Sequence, residues 1–146
     1  MSQEIRCINL GYVVPKENAE GVEGIFKKHA SWMEKFYSED SDGQKHLLNS
    51  YFTKAPEFVD PTDPSKGETG NIVFTINERF TSLESVQRHI ENAMKNDYFE
   101  EFGNILHNYG KVISPGGIIY HSIRWYVYWN QKLYTKCIKK NIKGVK

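Results

Sequence analysis

The chain has 146 residues, of which 39% are hydrophobic and 14% aromatic, and its formal net charge is +1. That length can bury a real core as one domain, and so many aromatics exclude a disordered chain, because they need an interior to fill. Two cysteines, Cys7 and Cys137, exclude a disulfide framework, no apolar run approaches the roughly 20 residues of a bilayer span, and the first residues lack a basic-then-apolar leader, so a soluble, cytoplasmic protein is expected.

Ile5 to Val14 reads as a strand, ended by Pro15, which has no backbone donor for the ladder. An amphipathic helix follows. Val22, Ile25, Phe26, His29, Met33 and Phe36 recur at steps of three and four residues, and Asn18 sits where a cap belongs. After a polar turn around Ser38–Gly43, Leu47 to Thr53 is a second strand. Residues 55–70, with three prolines and two glycines, read as a long loop. Asn71 to Phe80 is a third strand. A long helical segment then runs from Ser82 to Tyr109, capped by Thr81 or Ser82 and breaking near Lys95-Asn96-Asp97. Ser114-Pro115-Gly116-Gly117 reads as a turn, and Ile118 to Trp129 as a fourth strand.

This order is β-α-β-β-α-β, an α+β ferredoxin-like arrangement with a four-stranded antiparallel sheet. Two helices cover one face of such a sheet. The strands nevertheless carry apolar residues on both parities: Ile72, Phe74 and Ile76 against Val73, and Ile8, Leu10 and Tyr12 against Ile5 and Cys7. A sheet with one wet face should alternate cleanly, so the uncovered face is expected to pair with a second copy as a homodimer. The domain spans 1–129. Residues 130–146 form a basic tail within a longer charge asymmetry: from Tyr120 onward there are seven basic and no acidic residues, leaving 12 basic against 18 acidic before it. Its lysines and aromatics could grip single-stranded nucleic acid, but the acidic body disfavours that partner, and an arm packed on the twin subunit is the better reading.

The stretch Glu78-Arg79-Phe80-Thr81-Ser82-Leu83-Glu84-Ser85-Val86-Gln87-Arg88-His89, followed by Asp97-Tyr98-Phe99-Glu100-Glu101-Phe102, resembles the dimeric α/β-barrel superfamily. There a strand ends in a glutamate and an aromatic, and a turn leads into a helix carrying a histidine. The antibiotic-biosynthesis monooxygenase-like branch is the nearest likeness, over Ile72 to about Leu106. The resemblance implies the dimeric barrel fold and a range of activities, including cofactor-independent oxygenation, haem degradation, decarboxylation and isomerisation. The haem-degrading branch resembles this chain in the asparagine of strand one, here Asn9. Where that branch has a tryptophan and a histidine, however, this chain has Ala93 and Gly103. Haem degradation is therefore disfavoured.

Among residues able to carry chemistry, His89 stands first. It lies on the shoulder of its helix's apolar stripe, where it either faces a cleft and exchanges protons near neutral pH, or bridges to Glu78 and holds the fold. Asn9, a polar residue in an apolar strand, either orients a substrate oxyanion or marks an edge or bulge position. His29, Trp32, Tyr12, Phe74, Glu78 and Tyr120 are candidate pocket-lining residues, with core packing as their ordinary explanation. No two of the five histidines have a local metal-ligand spacing, which argues against zinc or iron. No phosphate loop or other cofactor motif is present, so no cofactor is expected. Two functional classes remain open: a small-molecule enzyme, as a cofactor-independent monooxygenase on an aromatic or polyketide-like substrate, and a non-catalytic dimeric ligand-binding or stress-related protein.

Overall fold

A computed structural model describes residues 4–39 and 43–123 of the chain. Among them four strands form one antiparallel sheet in the order β2-β3-β1-β4: β1 (Arg6–Pro15), β2 (Leu47–Phe58), β3 (Glu68–Phe80) and β4 (Gly110–Ile118). Helix α1 (Ala19–Ser38) follows β1, and helices α2 (Leu83–Ala93) and α3 (Phe99–Tyr109) lie between β3 and β4. This is the ferredoxin-like arrangement expected from the element order. None of the described helices is long and apolar enough to cross a membrane.

Strand parity decides where the core sits. Ile8, Leu10, Tyr12 and Val14 of β1 and Phe74, Ile76, Glu78 and Phe80 of β3 are all buried and face the helices. From α1, the row Ala19, Val22, Ile25, Phe26, His29 and Met33 packs down onto them. Phe26 stands at the centre, with ring centroids 4.8 Å from Tyr12, 5.6 Å from Phe74 and 5.8 Å from Phe102. Asn18 precedes α1 but does not cap it through its side chain. Its amide donates instead to the Tyr109 hydroxyl at 2.8 Å, tying the start of α1 to the end of α3. Ser82 caps α2 by accepting the Ser85 N–H at 3.2 Å. Asn96 ends that helix: its side-chain amide donates to the Ala93 carbonyl at 3.0 Å, satisfying a C-terminal acceptor, and the break expected at residues 95–97 follows.

Two sequence expectations are corrected. The loop assigned to residues 55–70 is mostly hairpin: β2 runs on to Phe58 and β3 starts at Glu68, with Ala55 opposite Val73 and Pro56 opposite Ile72. Pro56 is tolerated because β2 is an edge strand and its register shifts between Pro56 and Phe58. The connecting turn is held from within, Asp60 accepting from the Thr62 N–H at 2.9 Å and Asp63 from the Ser65 N–H at 3.3 Å. The fourth strand likewise begins at Gly110, not Ile118, and it contains the residues read as a turn. Two register shifts against β1 absorb them: Gly116 takes φ +95°, and the Ser114 hydroxyl accepts the Gly117 N–H at 3.2 Å. Residues 124–129 of the expected strand, and the 130–146 tail with its domain boundary, lie outside the described residues.

Gly110 lets α3 turn directly into β4. A Cβ there would lie 2.7 Å from the Leu106 side chain, 2.8 Å from the Leu106 carbonyl and 2.8 Å from the Tyr12 ring. The carbonyl belongs to the helix backbone and cannot move aside cheaply. Gly110→Ala should therefore destabilise the fold by about 1–3 kcal/mol, as overpacking does. The check is the urea midpoint; an unchanged midpoint would show that the α3–β4 junction is looser than this geometry.

Candidate functional site

Three elements meet under the helices. His29 from the middle of α1, His89 from α2 and Glu78 from β3 are 4%, 4% and 2% exposed. His29 Nε2 lies 3.5 Å from Glu78 Oε1, and His89 Nε2 lies 3.4 Å from Glu78 Oε2. One carboxylate thus sits between two imidazoles, each turned to offer its Nε2. The opposite ring nitrogens are held by tyrosines: the Tyr98 hydroxyl is 3.0 Å from His29 Nδ1, and the Tyr37 hydroxyl is 2.9 Å from His89 Nδ1. Ring orientation is therefore set from the back, as it is where imidazoles must present one nitrogen to a ligand. Glu78 Oε1 has no hydrogen-bond partner among the described residues.

Aromatic rings wall the cluster. Trp32 stacks on His29 with centroids 5.3 Å apart, and Phe102 and Phe80 lie 5.0 Å from His29 and 5.2 Å from His89. The environment sets the electrostatics. Burial pulls the pKa of His89 below its ordinary value, the Glu78 carboxylate works the other way, and the neighbouring His29 adds to the lowering. Burial, then the charges of Asp97 and Glu78, push Tyr98 up to about 12, so its hydroxyl keeps its proton at neutral pH. Tyr12 is raised as well, by burial and then by Glu78.

The cluster opens on a cavity of about 190 Å³ between α2, α3, β1 and β4. Its walls are Ile8, Leu10, Ala93, Phe99, Phe102, Leu106 and Val112, with His29, Glu78 and His89 as its polar patch. An apolar pocket with a few convergent polar groups is the form small-molecule sites take. The arrangement can accept or donate a proton at a fixed Nε2, stabilise a developing charge, or bind a cation.

Of the residues singled out from the sequence, His29, His89 and Glu78 come together at this cavity, with Trp32 against them. Phe74 instead lines a separate surface hollow of about 220 Å³ beside Phe26, Phe52 and Lys54, and Tyr12 is buried against Phe26. Tyr120 lies beyond the end of β4 at Ile118 and is 96% exposed among the described residues. Asn9 sits on the other face of the sheet from His89. Its odd parity in β1 turns it away from the helices, and its amide donates to Asn77 Oδ1 at 2.9 Å. The pairing of Asn9 with His89 across one cleft is therefore replaced by that of His29 and Glu78 with His89. Local spacing could not bring out this trio, since its members come from three elements and leave no local motif. Tyr37 and Tyr98, which orient the imidazoles, went unrecognised; Tyr98 falls in the helix break, where periodicity says nothing about facing.

No family model matches the chain, and no curated protein sequence does. Among solved structures the chain is similar to SnoaB, a cofactor-independent oxygenase from Streptomyces nogalater. The two are 12% identical, with a TM-score of 0.44, over 85% of this chain and 98% of that one. The fold assignment rests on the strand order and the antiparallel pairing described above.

Proposed function

We propose that this protein is a small-molecule enzyme of the antibiotic-biosynthesis monooxygenase-like kind, working without a cofactor on a compact aromatic or polyketide-like substrate. The observation that carries this reading is the buried carboxylate between two oriented imidazoles on the wall of an apolar cavity. Burying such a group costs stability that well-packed apolar residues would supply, and perturbed titratable groups in a cleft are what acid–base chemistry requires. An apolar cavity of about 150 Å³ takes benzene, so one of about 190 Å³ suits a substrate of one or two rings.

In the proposed reaction His89 Nε2 takes a proton from a methylene activated by an adjacent carbonyl or ring, and Glu78 stabilises the imidazolium that forms. The resulting carbanion reduces dioxygen. One oxygen atom remains on the substrate carbon as a carbonyl, and the other leaves as water with the two hydrogens the carbon has lost. Within one chain Asn9 takes no part, since it faces away.

The experiment is oxygen uptake with a one- or two-ring substrate carrying a carbonyl-activated methylene, such as 2-indanone, in the presence of a chelator. Uptake of one dioxygen per substrate is expected, abolished by His89→Ala and by Leu106→Trp, which fills the cavity. Binding of the substrate without uptake would select the non-catalytic binding protein, and no binding would sink both readings.

The active assembly is proposed to be a homodimer through the uncovered sheet face. Val13 and Ile113 are exposed there, as is Tyr51 on the edge strand. Four polar side chains of that face bond to one another. Asn9 donates to Asn77, Asn77 donates to the Thr75 hydroxyl at 2.8 Å, and Thr75 meets Thr53 at 2.5 Å. Those four side chains already have partners when the face is covered, which favours a second sheet over water there. Light scattering at micromolar concentration should give a dimer, and Val13→Lys a monomer; a monomeric parent protein would refute the pairing.

A further inference from the structure

The structure assigns to His29, Glu78 and His89 a binding site for a divalent first-row transition metal ion, zinc-like in preference, with a coordination position open to the apolar cavity. This rests on the reading that the trio is the reacting centre and goes beyond it, because the proposed reaction needs no metal.

The argument begins with what lies between the three side chains. Ionic N–H···O contacts usually close to about 2.7–2.9 Å, whereas the two Nε2–carboxylate separations here are 3.5 and 3.4 Å. Glu78 is 2% exposed, yet its Oε1 has no hydrogen-bond partner among the described residues. A buried carboxylate oxygen left in that condition needs a cation or a proton. One donor atom from each of the three residues can be chosen so that all lie within 4.8 Å of one another. Bonds of about 2.0–2.2 Å to a central ion put tetrahedral ligands about 3.3–3.5 Å apart. Each imidazole already stands at that spacing from one carboxylate oxygen, His29 from Oε1 and His89 from Oε2, and a single ion would draw the three donors together from within 4.8 Å.

The second coordination layer fits as well. A metal-bound imidazole donates its remaining N–H to an acceptor that fixes its orientation. Tyr98 and Tyr37 stand at 3.0 and 2.9 Å from the two Nδ1 atoms, able to accept those protons. Two imidazoles and one carboxylate form the donor set of hydrolytic zinc centres, in which the fourth position takes water or substrate. Here the three residues border the cavity walled by Leu10, Phe102 and Leu106, and the proposal gives the fourth position to a ligand entering from it. A doubly charged ion on a single carboxylate leaves one net positive charge in an apolar site. The ligand completing it should therefore carry an anionic oxygen, as an enolate, a phenolate or a carboxylate does, on an apolar body.

Occupancy by the metal and proton abstraction by His89 exclude one another, because both use Nε2. Their tests therefore separate. Metal-stripped protein is titrated with Zn²⁺ by calorimetry and with Co²⁺ by visible absorption, with no turnover involved. One ion per chain is expected, with the intense visible bands of low-coordinate Co²⁺, and Zn²⁺ should raise the melting temperature. Glu78→Gln, which keeps the side-chain shape, and His89→Ala should each lose this binding. Tyr98→Phe should weaken it by about 10-fold or more, while His107→Ala with His121→Ala should leave it unchanged. If His89→Ala unfolds, His89→Gln with circular dichroism takes its place. Binding that survives Glu78→Gln, binding that disappears with His107 and His121, or no stoichiometric binding at all would each overturn the assignment. None of these results bears on oxygen uptake in chelator. Conversely, uptake that falls as Zn²⁺ is added would support both readings, by showing that ion and substrate compete for the same trio.

Discussion

Glu78→Gln should cost the protein its chemistry while leaving the fold as stable as before, or more so. The substitution keeps shape and volume and removes a charge from a site 2% exposed to solvent. In doing so it removes the desolvation penalty that a buried carboxylate imposes. It also removes the group that stabilises an imidazolium on His89, whose Nε2 lies 3.4 Å away. Positioned acid–base groups contribute about 10²–10⁴-fold to a rate, so turnover should fall at least about 100-fold on that basis. Melting temperature and turnover are the two measurements, and the informative outcome is their divergence. Were Glu78 purely structural, the variant would lose stability and keep whatever activity its folded fraction retains. A residue that stabilises the fold least and the reaction most is the expected signature of a site.

Phe26→Ala should have the largest effect on stability. Phe26 is 4% exposed, and its ring contacts Tyr12, Phe74 and Phe102, joining α1, both central strands and α3. Truncating a buried phenylalanine typically costs about 3–5 kcal/mol, partly as lost transfer energy and partly as cavity. Against the roughly 5–15 kcal/mol that hold such a domain together, that is a large share, and for a chain of this size it lowers the melting temperature by roughly 10 °C or more. A urea titration would show the midpoint fall. A loss of under about 1 kcal/mol would mean that the core collapses around the gap, contrary to the close ring packing. Because Phe26 does not line the cavity beside His89, its folded fraction should retain ligand binding, unlike that of Glu78→Gln.

Much of the architecture could be read from residue order. The apolar alternation of β1 and the three- and four-residue spacing along α1 are local patterns with a single good solution, one face buried. The break at 95–97 was equally visible, because the apolar stripe loses its phase there. The hairpin and the fourth strand were misread for one common reason. Pro56, Pro115 and Gly116 are breakers in isolation, but β2 and β4 are the two edges of the sheet, and an edge strand can spare a hydrogen bond and absorb a bulge. Edge or centre is a property of the assembled sheet, and propensity does not encode it.

The candidate site divides along the same line. Periodicity sufficed to place His29 on a core-facing stripe and His89 on the shoulder of another, while Glu78 stood out through the family resemblance, as the glutamate near the end of its strand. The two histidines could be singled out because a polar group in an apolar row calls for an explanation. What no pattern contained was their convergence, since 49 and 11 residues of chain separate them, and only the packing of α1 and α2 across β3 makes them neighbours. The same folding step sent Asn9 to the opposite face, into a ladder with Asn77, Thr75 and Thr53. Local chemistry depends on side-chain type and period, and both are written along the chain. The meeting of two imidazoles on one carboxylate depends on helix docking and strand order, which arise from contacts between residues far apart in it.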